Sequence, residues 1–235
     1  MRKTAQTAKL FTDHFEYHFK QQFQGINFDN ASVLEIGCGK GLVSTKIALS
    51  TKAKRIVALD ESAGKGSRKG VLDDLRRNIQ KLNIRNITVA EEDFWQTNFN
   101  AFNIIIANNS LHHLVSNGKY YFKSLAIHNS YKKMFSRINN MLENHGLFVI
   151  KDIDPLILFR IINPRYFRFM DWEDHPPYKA WLDMIDNNNF SVINRNAVVP
   201  YALRKFASIL RYRTFSCFFR GGIIFVLKKW TKLHA

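Results

Sequence analysis

The sequence predicts an α/β fold: a doubly wound, mostly parallel seven-stranded sheet with helices on both faces, an N-terminal helix and a C-terminal capping region. Three observations predict it. Short apolar runs ending at Gly, Asp or Asn alternate with longer stretches of helical periodicity, which requires crossover connections and therefore parallel strands. The first of those runs, Val33-Leu34-Glu35-Ile36, stops at a turn with glycines at 37, 39 and 41 that opens a helix. The 235 residues, 46% hydrophobic and 23% charged, suit one continuous core with no disulfide or structural metal.

The elements follow in order. Phe11, Phe15, Phe19 and Phe23 recur every four residues, giving a helix over 7–24 with one apolar stripe that packs on the core. Asp29, Asn30 and Ser32 mark the turn into the first strand. Leu42 to Ser50 reads as a helix, and Arg55 to Leu59 as a second strand ending at Asp60. A Gly, Ser and Lys loop, Ser62 to Gly70, leads to a helix through Val71 to Lys81. Ile87 to Val89 and Phe102 to Ala107 are the third and fourth strands; a helix over Tyr120–Asn140 precedes the fifth, Gly146 to Ile153. Beyond it, Pro155 to Trp172 interleaves arginines with aromatics, and Tyr178 to Asn188 reads as a helix. Phe190 to Val199 is a sixth strand, Ala202 to Tyr212 a basic helix and Ile223 to Leu227 a seventh strand. The expected organisation is one domain over 1–235. Residues 1–30 form its helical lead, 31–153 its ligand-binding core, and 154–235 its cap and last strands.

Composition removes several classes. Cys38 and Cys217 cannot build a cysteine framework, and no His, Cys, Asp or Glu cluster has metal-site spacing, so no metal is expected. No apolar run approaches the ~18 residues of a membrane span, and the N-terminus lacks the apolar stretch of a secretory signal. A cytoplasmic setting is expected. The formal charge of +16 is unevenly spread: residues 187–235 hold nine Lys or Arg and no Asp or Glu. Such a surface attracts phosphates, whether of RNA, of lipid head groups or of a small anion.

The Gly-rich turn is the strongest motif. Glycines serve where the chain turns tightly and where a ligand meets bare backbone, and the next helix offers unpaired N–H groups to an anion. It is not a dinucleotide fingerprint, since Leu42 stands where a third G-x-G-x-x-G glycine would fall. Nor is it a P-loop, because neither Gly39-Lys40-Gly41 nor Gly64-Lys65-Gly66 has Ser or Thr after the Lys. Glu35-Ile36-Gly37-Cys38-Gly39-Lys40-Gly41 resembles motif I of class I, Rossmann-like S-adenosylmethionine-dependent methyltransferases, and Asp60 matches the family's acidic ribose position. Glu92-Asp93-Phe94, Asn108 to Leu114 and Leu142 to Ile150 resemble, in order, its adenine segment, the loop after its fourth strand and its entry to the fifth. The resemblance covers about residues 30–153. It departs at Asn103, where relatives often carry Asp, and in the longer, more basic loop after Asp60.

What the resemblance implies is S-adenosylmethionine as cofactor. Glu35, Gly37, Cys38, Gly39 and Gly41 would form its loop, with the methionine carboxylate at the helix N-terminus. Asp60 and Glu61 would hold the ribose, Asp93 would accept from the adenine amino group, and Phe94 would lie near the ring. Asn108 would belong to the loop after the fourth strand. A general base is needed only for a nucleophile that loses a proton. His113, His112 and Asp152 are the candidates, an imidazole being suited to proton abstraction near neutrality. No Asn-Pro-Pro-Tyr-like motif or cysteine pair of nucleic-acid base methylation occurs. The expected acceptor is a small-molecule or lipid-like substrate, with peripheral membrane contact open to the basic C-terminal region. The alternatives are RNA held by Arg204, Lys205, Arg211, Arg213, Lys228 and Lys229, and a non-catalytic partner protein with the same fold.

Overall fold

In the computed structural model, residues 10–61, 69–153, 171–210 and 222–230 are described. Their elements are α1 (Asp13–Phe23), β1 (Ser32–Ile36), α2 (Leu42–Ser50), β2 (Arg55–Asp60), α3 (Val71–Leu82), β3 (Ile87–Glu91) and β4 (Phe102–Asn108). Then come α4 (Leu111–Leu114), α5 (Leu125–Met141), β5 (Leu142–Asp152), α6 (Tyr178–Asp186), β6 (Phe190–Ala197), α7 (Ala207–Leu210) and β7 (Ile223–Lys229). The strands form one sheet in the order β3-β2-β1-β4-β5-β7-β6. The first five are parallel, and β7 runs antiparallel between β5 and β6. Its chain order reverses between β1 and β4, the crevice where open α/β sheets bind ligands.

Alternation along each strand divides the core into two layers. Val33, Ile104, Ile106, Val149 and Val226 face α1 and α2, where Phe15, Phe19, Phe23 and Ile47 cover them. Leu34, Ile36, Ile105, Phe148, Ile150 and Phe225 face the opposite way, against Phe135, Ile138 and Trp181. Phe23 is therefore core, a buried ring contributing roughly 1.5–3 kcal/mol, while Phe15 and Phe19 pack against it partly buried. Thr12 caps α1 by accepting from the Phe15 N–H at 3.2 Å.

Four boundaries differ most from the sequence expectation. The helix expected over 7–24 starts at Asp13, where Thr12 caps it, so Phe11 precedes it. The helix expected from Tyr120 starts at Leu125, because Ser124 caps it by accepting from Ile127 N and a 3₁₀ turn, Gly118–Tyr120, precedes it. The fifth strand starts earlier, at Leu142, with His145 in left-handed conformation at a register shift opposite Phe102 and Ile104. The basic segment opens as a 3₁₀ turn, Tyr201–Phe206, before α7, and its end at Arg211 and Tyr212 lies outside the described residues. So do Ser62–Arg68, Cys217, and the arginine and aromatic segment from Pro155 to Met170. Asn103, the departure at the start of β4, uses its carbonyl to accept from Ser32 N and Oγ at 2.8 and 2.9 Å. Its amide donates to Glu143 at 2.6 Å, a bond that an ionised Asp could not make. No described helix is long and apolar enough to cross a membrane.

Candidate active site

The Gly-rich turn leaves β1 with Gly37, Gly39 and Gly41 all at positive φ, a path that L side chains rarely follow. Gly37 N and Cys38 N both donate to Leu59 O, at 2.8 and 3.0 Å, fastening the turn to β2. A Cβ on Gly37 would lie 2.4 Å from Ser110 Cβ, and Ser110 is pinned by its own bond to Ile36 O at 2.7 Å. Gly37→Ala is therefore expected to lower unfolding stability by roughly 2–4 kcal/mol, read from denaturant melts. A change under about 0.5 kcal/mol would refute the clash. Gly39 is different: no atom lies within 4 Å of its would-be Cβ, so bare backbone faces open space.

Carboxylates ring the ends of β1, β2 and β3. Glu35 is buried, and its Oε2 accepts from Ser44 N at 3.0 Å and from Ser44 Oγ. Burial pushes its pKa up to about 7 against those two bonds, with the Asp60 charge adding to the rise. Asp60 is buried, and its Oδ2 accepts from Gly39 N at 2.8 Å, which ties the turn to the end of β2. Burial and a hydrogen bond shared with Asp93 raise the Glu61 carboxyl above the usual range. Asp93 also accepts from Trp95 N at 2.8 Å. Phe94, expected near a ligand ring, is 2% exposed in the core, with the Arg137 guanidinium 5.5 Å from its centroid. Cys38 contributes backbone, its buried thiol pushed well above the ordinary thiol pKa.

Past β4, the loop carries the histidines. His112 Nδ1 lies 3.1 and 3.0 Å from the two Asp152 carboxylate oxygens. His175 Nδ1 lies 3.2 Å from Asp152 Oδ1, and the two imidazole centroids are 3.9 Å apart. All three side chains are buried. Burial alone would raise the Asp152 carboxyl, but its bonds to both histidines outweigh burial and hold it at about 2. His113 stands apart: its buried Nδ1 has no hydrogen-bond partner among the described residues, and burial together with neighbouring His112 lowers its pKa to about 4. It is therefore neutral at physiological pH. Of the three predicted catalytic residues, the fold joins His112 to Asp152 and adds His175, which sequence spacing did not reveal.

The spacing argument against a metal does not reach this cluster, whose members come from three separate parts of the chain. Their ligand atoms lie within 4.8 Å of one another, a set able to hold an ion. The same contacts are complete without one when each neutral imidazole donates its Nδ1 proton to the carboxylate.

On the opposite sheet face a cavity of about 340 Å³ opens between α1 and the Gly-rich turn. Phe15, His18 and Gln22 line it from the helix, and Glu35, Asn108 and Lys151 line it from the strand ends. Asn108 Oδ1 accepts from Gln22 Nε2, which fastens α1 to β4.

The sequence matches the family described as "Methyltransferase domain" over residues 27–197. No curated protein matches it significantly. Among solved structures, it resembles a candidate S-adenosylmethionine-dependent methyltransferase from Listeria monocytogenes: TM-score 0.62, 14% identity, covering 92% of this chain and 100% of that one. It also resembles the cyclopropane synthase MmaA2 from Mycobacterium tuberculosis: TM-score 0.61, 15% identity, covering 96% and 84%. A candidate sarcosine dimethylglycine methyltransferase from Galdieria sulphuraria gives 0.60 at 13% identity, covering 92% and 84%.

Proposed function

Because the chain belongs to the methyltransferase domain family, and is thereby an enzyme of the class I methyltransferase fold, we propose that it methylates a small-molecule or lipid-like acceptor with S-adenosylmethionine. The nucleophile in this reading loses its proton to a histidine. One observation carries it: the buried His112–Asp152–His175 cluster at the carboxyl ends of the parallel strands. His112 shares its loop with Ser110, which packs against Gly37 of the Gly-rich turn.

The residues present fit the cofactor. Open backbone at Gly39 allows close approach, and Asp60, Glu61 and Asp93 offer acceptors to ribose hydroxyls and an adenine amino group. Asn108 and the backbone of Gly37 to Gly41 would line its remaining length. When bound, it supplies an electrophilic methyl carbon on a sulfonium. The protein's own part is alignment, exclusion of water and removal of one proton. Asp152 orients His112 and His175 through their Nδ1 atoms, which leaves each Nε2 as the atom to take the proton.

RNA is the reading these contacts favour less. Lys229 is spent within the fold, its Nζ donating to Asn139 O and Leu142 O at 2.9 and 2.8 Å. Arg204 folds back on its own turn, bonding Tyr201 O and lying 4.0 Å from that ring's centroid. Arg211 and Arg213 lie outside the described residues.

The test is transfer of radiolabelled methyl from S-adenosylmethionine into a lysate that is then separated into lipid, RNA, protein and aqueous fractions. Label is expected in the lipid or aqueous fraction. Label in RNA would reverse the acceptor reading. Asp60→Ala is expected to weaken S-adenosylhomocysteine binding by about 1–3 kcal/mol, the scale of one charge-assisted hydrogen bond. Unchanged calorimetric affinity in the folded variant would move the ribose elsewhere.

A further inference from the structure

The two faces of the sheet carry opposite chemistry at its carboxyl edge. Alternation along β5 sends Phe148, Ile150 and Asp152 toward the histidines, and Val149 and Lys151 toward α1. Lys151 is the register partner of Asn108, and Glu35 follows Val33 on the same face, so the three polar strand ends meet in the cavity beneath α1.

Among the described residues, Lys151 Nζ makes no ion pair and no hydrogen bond, and burial lowers its pKa below the ordinary lysine value. Glu35 shares the wall, but its Oε2 is held by Ser44. His18 lines the same wall, and its pKa is lowered to about 4 by burial and then by the Lys151 and His14 charges, against a hydrogen bond with Gln21. A partly desolvated ammonium beside an imidazole that its charge disfavours from protonating is a costly arrangement unless an anion completes it. The α2 N-terminus, the site the sequence pattern suggests for a carboxylate, already gives its Ser44 N–H to Glu35.

We propose that this cavity is a carboxylate pocket in which Lys151 is the counter-ion of the amino-acid end of the methyl donor. The assignment rests on the reading of S-adenosylmethionine as that donor. Its geometry is a shared cavity: Gly37, Cys38 and Lys40 of the Gly-rich turn line the same space as Lys151. A ligand laid along the turn would bring its α-carboxylate into the cavity that Lys151 lines.

Calorimetry with two ligands separates this from general damage. S-adenosylhomocysteine carries the amino-acid end, whereas 5′-methylthioadenosine lacks it. Lys151→Met is expected to weaken the first roughly 10- to 100-fold and to leave the second within about twofold, so the second ligand also reports an intact fold. Equal affinity of wild type and variant for S-adenosylhomocysteine, or parallel losses on both ligands, would overturn the assignment. Unchanged homocysteine-ligand affinity with reduced methyl incorporation would give Lys151 to an anionic acceptor and overturn it as well. A wild-type protein that binds neither ligand would remove the donor reading itself, and this proposal with it.

Discussion

Asp152→Asn is expected to slow methyl transfer by about 10²- to 10⁴-fold while S-adenosylhomocysteine affinity stays within about threefold. The amide oxygen can accept one Nδ1 proton, but its NH₂ faces the second imidazole as a donor. One of the two rings would then adopt the other tautomer or lose its partner. Because Asp152 acts through the imidazoles, the informative readout is the split between turnover and binding. Loss of both together would indicate a structural role only. The same carboxyl has a folded pKa of about 2, below its ordinary value of 3.8. Its contribution is therefore complete above about pH 4 and is lost as the pH falls toward 2, worth about 2 kcal/mol. Retention of more than half the wild-type rate in the variant would remove the cluster from the chemistry.

Glu35→Gln is expected to produce the reverse pH signature. Burial raises the folded pKa of Glu35 from 4.5 to about 7, so the folded state holds a proton that the unfolded chain releases between those values. Wild-type stability should then decline as the pH rises from about 4.5 to 7 and level off above it. The glutamine, which still accepts from Ser44, removes this dependence. It should be more stable than wild type by about 3 kcal/mol at pH 8 and nearly equal to it at pH 4. Denaturant melts of the ligand-free protein across that range check it, and identical slopes for the two proteins would refute a proton on Glu35.

What could be read from the sequence was what is local. Val33 to Gly41 is contiguous, its strand, turn and helix set by nearest-neighbour chemistry, and Asp60 follows at the end of the next strand. The site's second half is not contiguous. His175 lies in the Asp174-His175-Pro176-Pro177 stretch, which has no periodicity to place it, and only the return of the chain before α6 brings it onto Asp152. A histidine held between an acid and two prolines was the available signal. Lys151, beside Asp152, is the type of residue that at a strand end usually reaches solvent. Alternation from Leu147 would have put it on the buried α1 face. Phe94 erred the other way: its position after β3 suited a ligand ring, but nothing local revealed that Arg137 and the core would enclose it. The sheet order was equally hidden, since the placement of β7 between β5 and β6 depends on pairings far apart in the chain.

That placement bears on biosynthesis. β6 pairs with β7 and with no other described strand, and the outer edge of β5 is covered only by β7. A chain emerging from the ribosome can assemble β1 to β5 as they appear, yet β6 must wait without a partner. Until Ile223 to Lys229 has been translated, the Phe148-Val149-Ile150 edge stands open to any other extended segment, including one from a neighbouring nascent copy. The antiparallel strand that completes the sheet is thus also what ends the period in which the polypeptide most needs a chaperone.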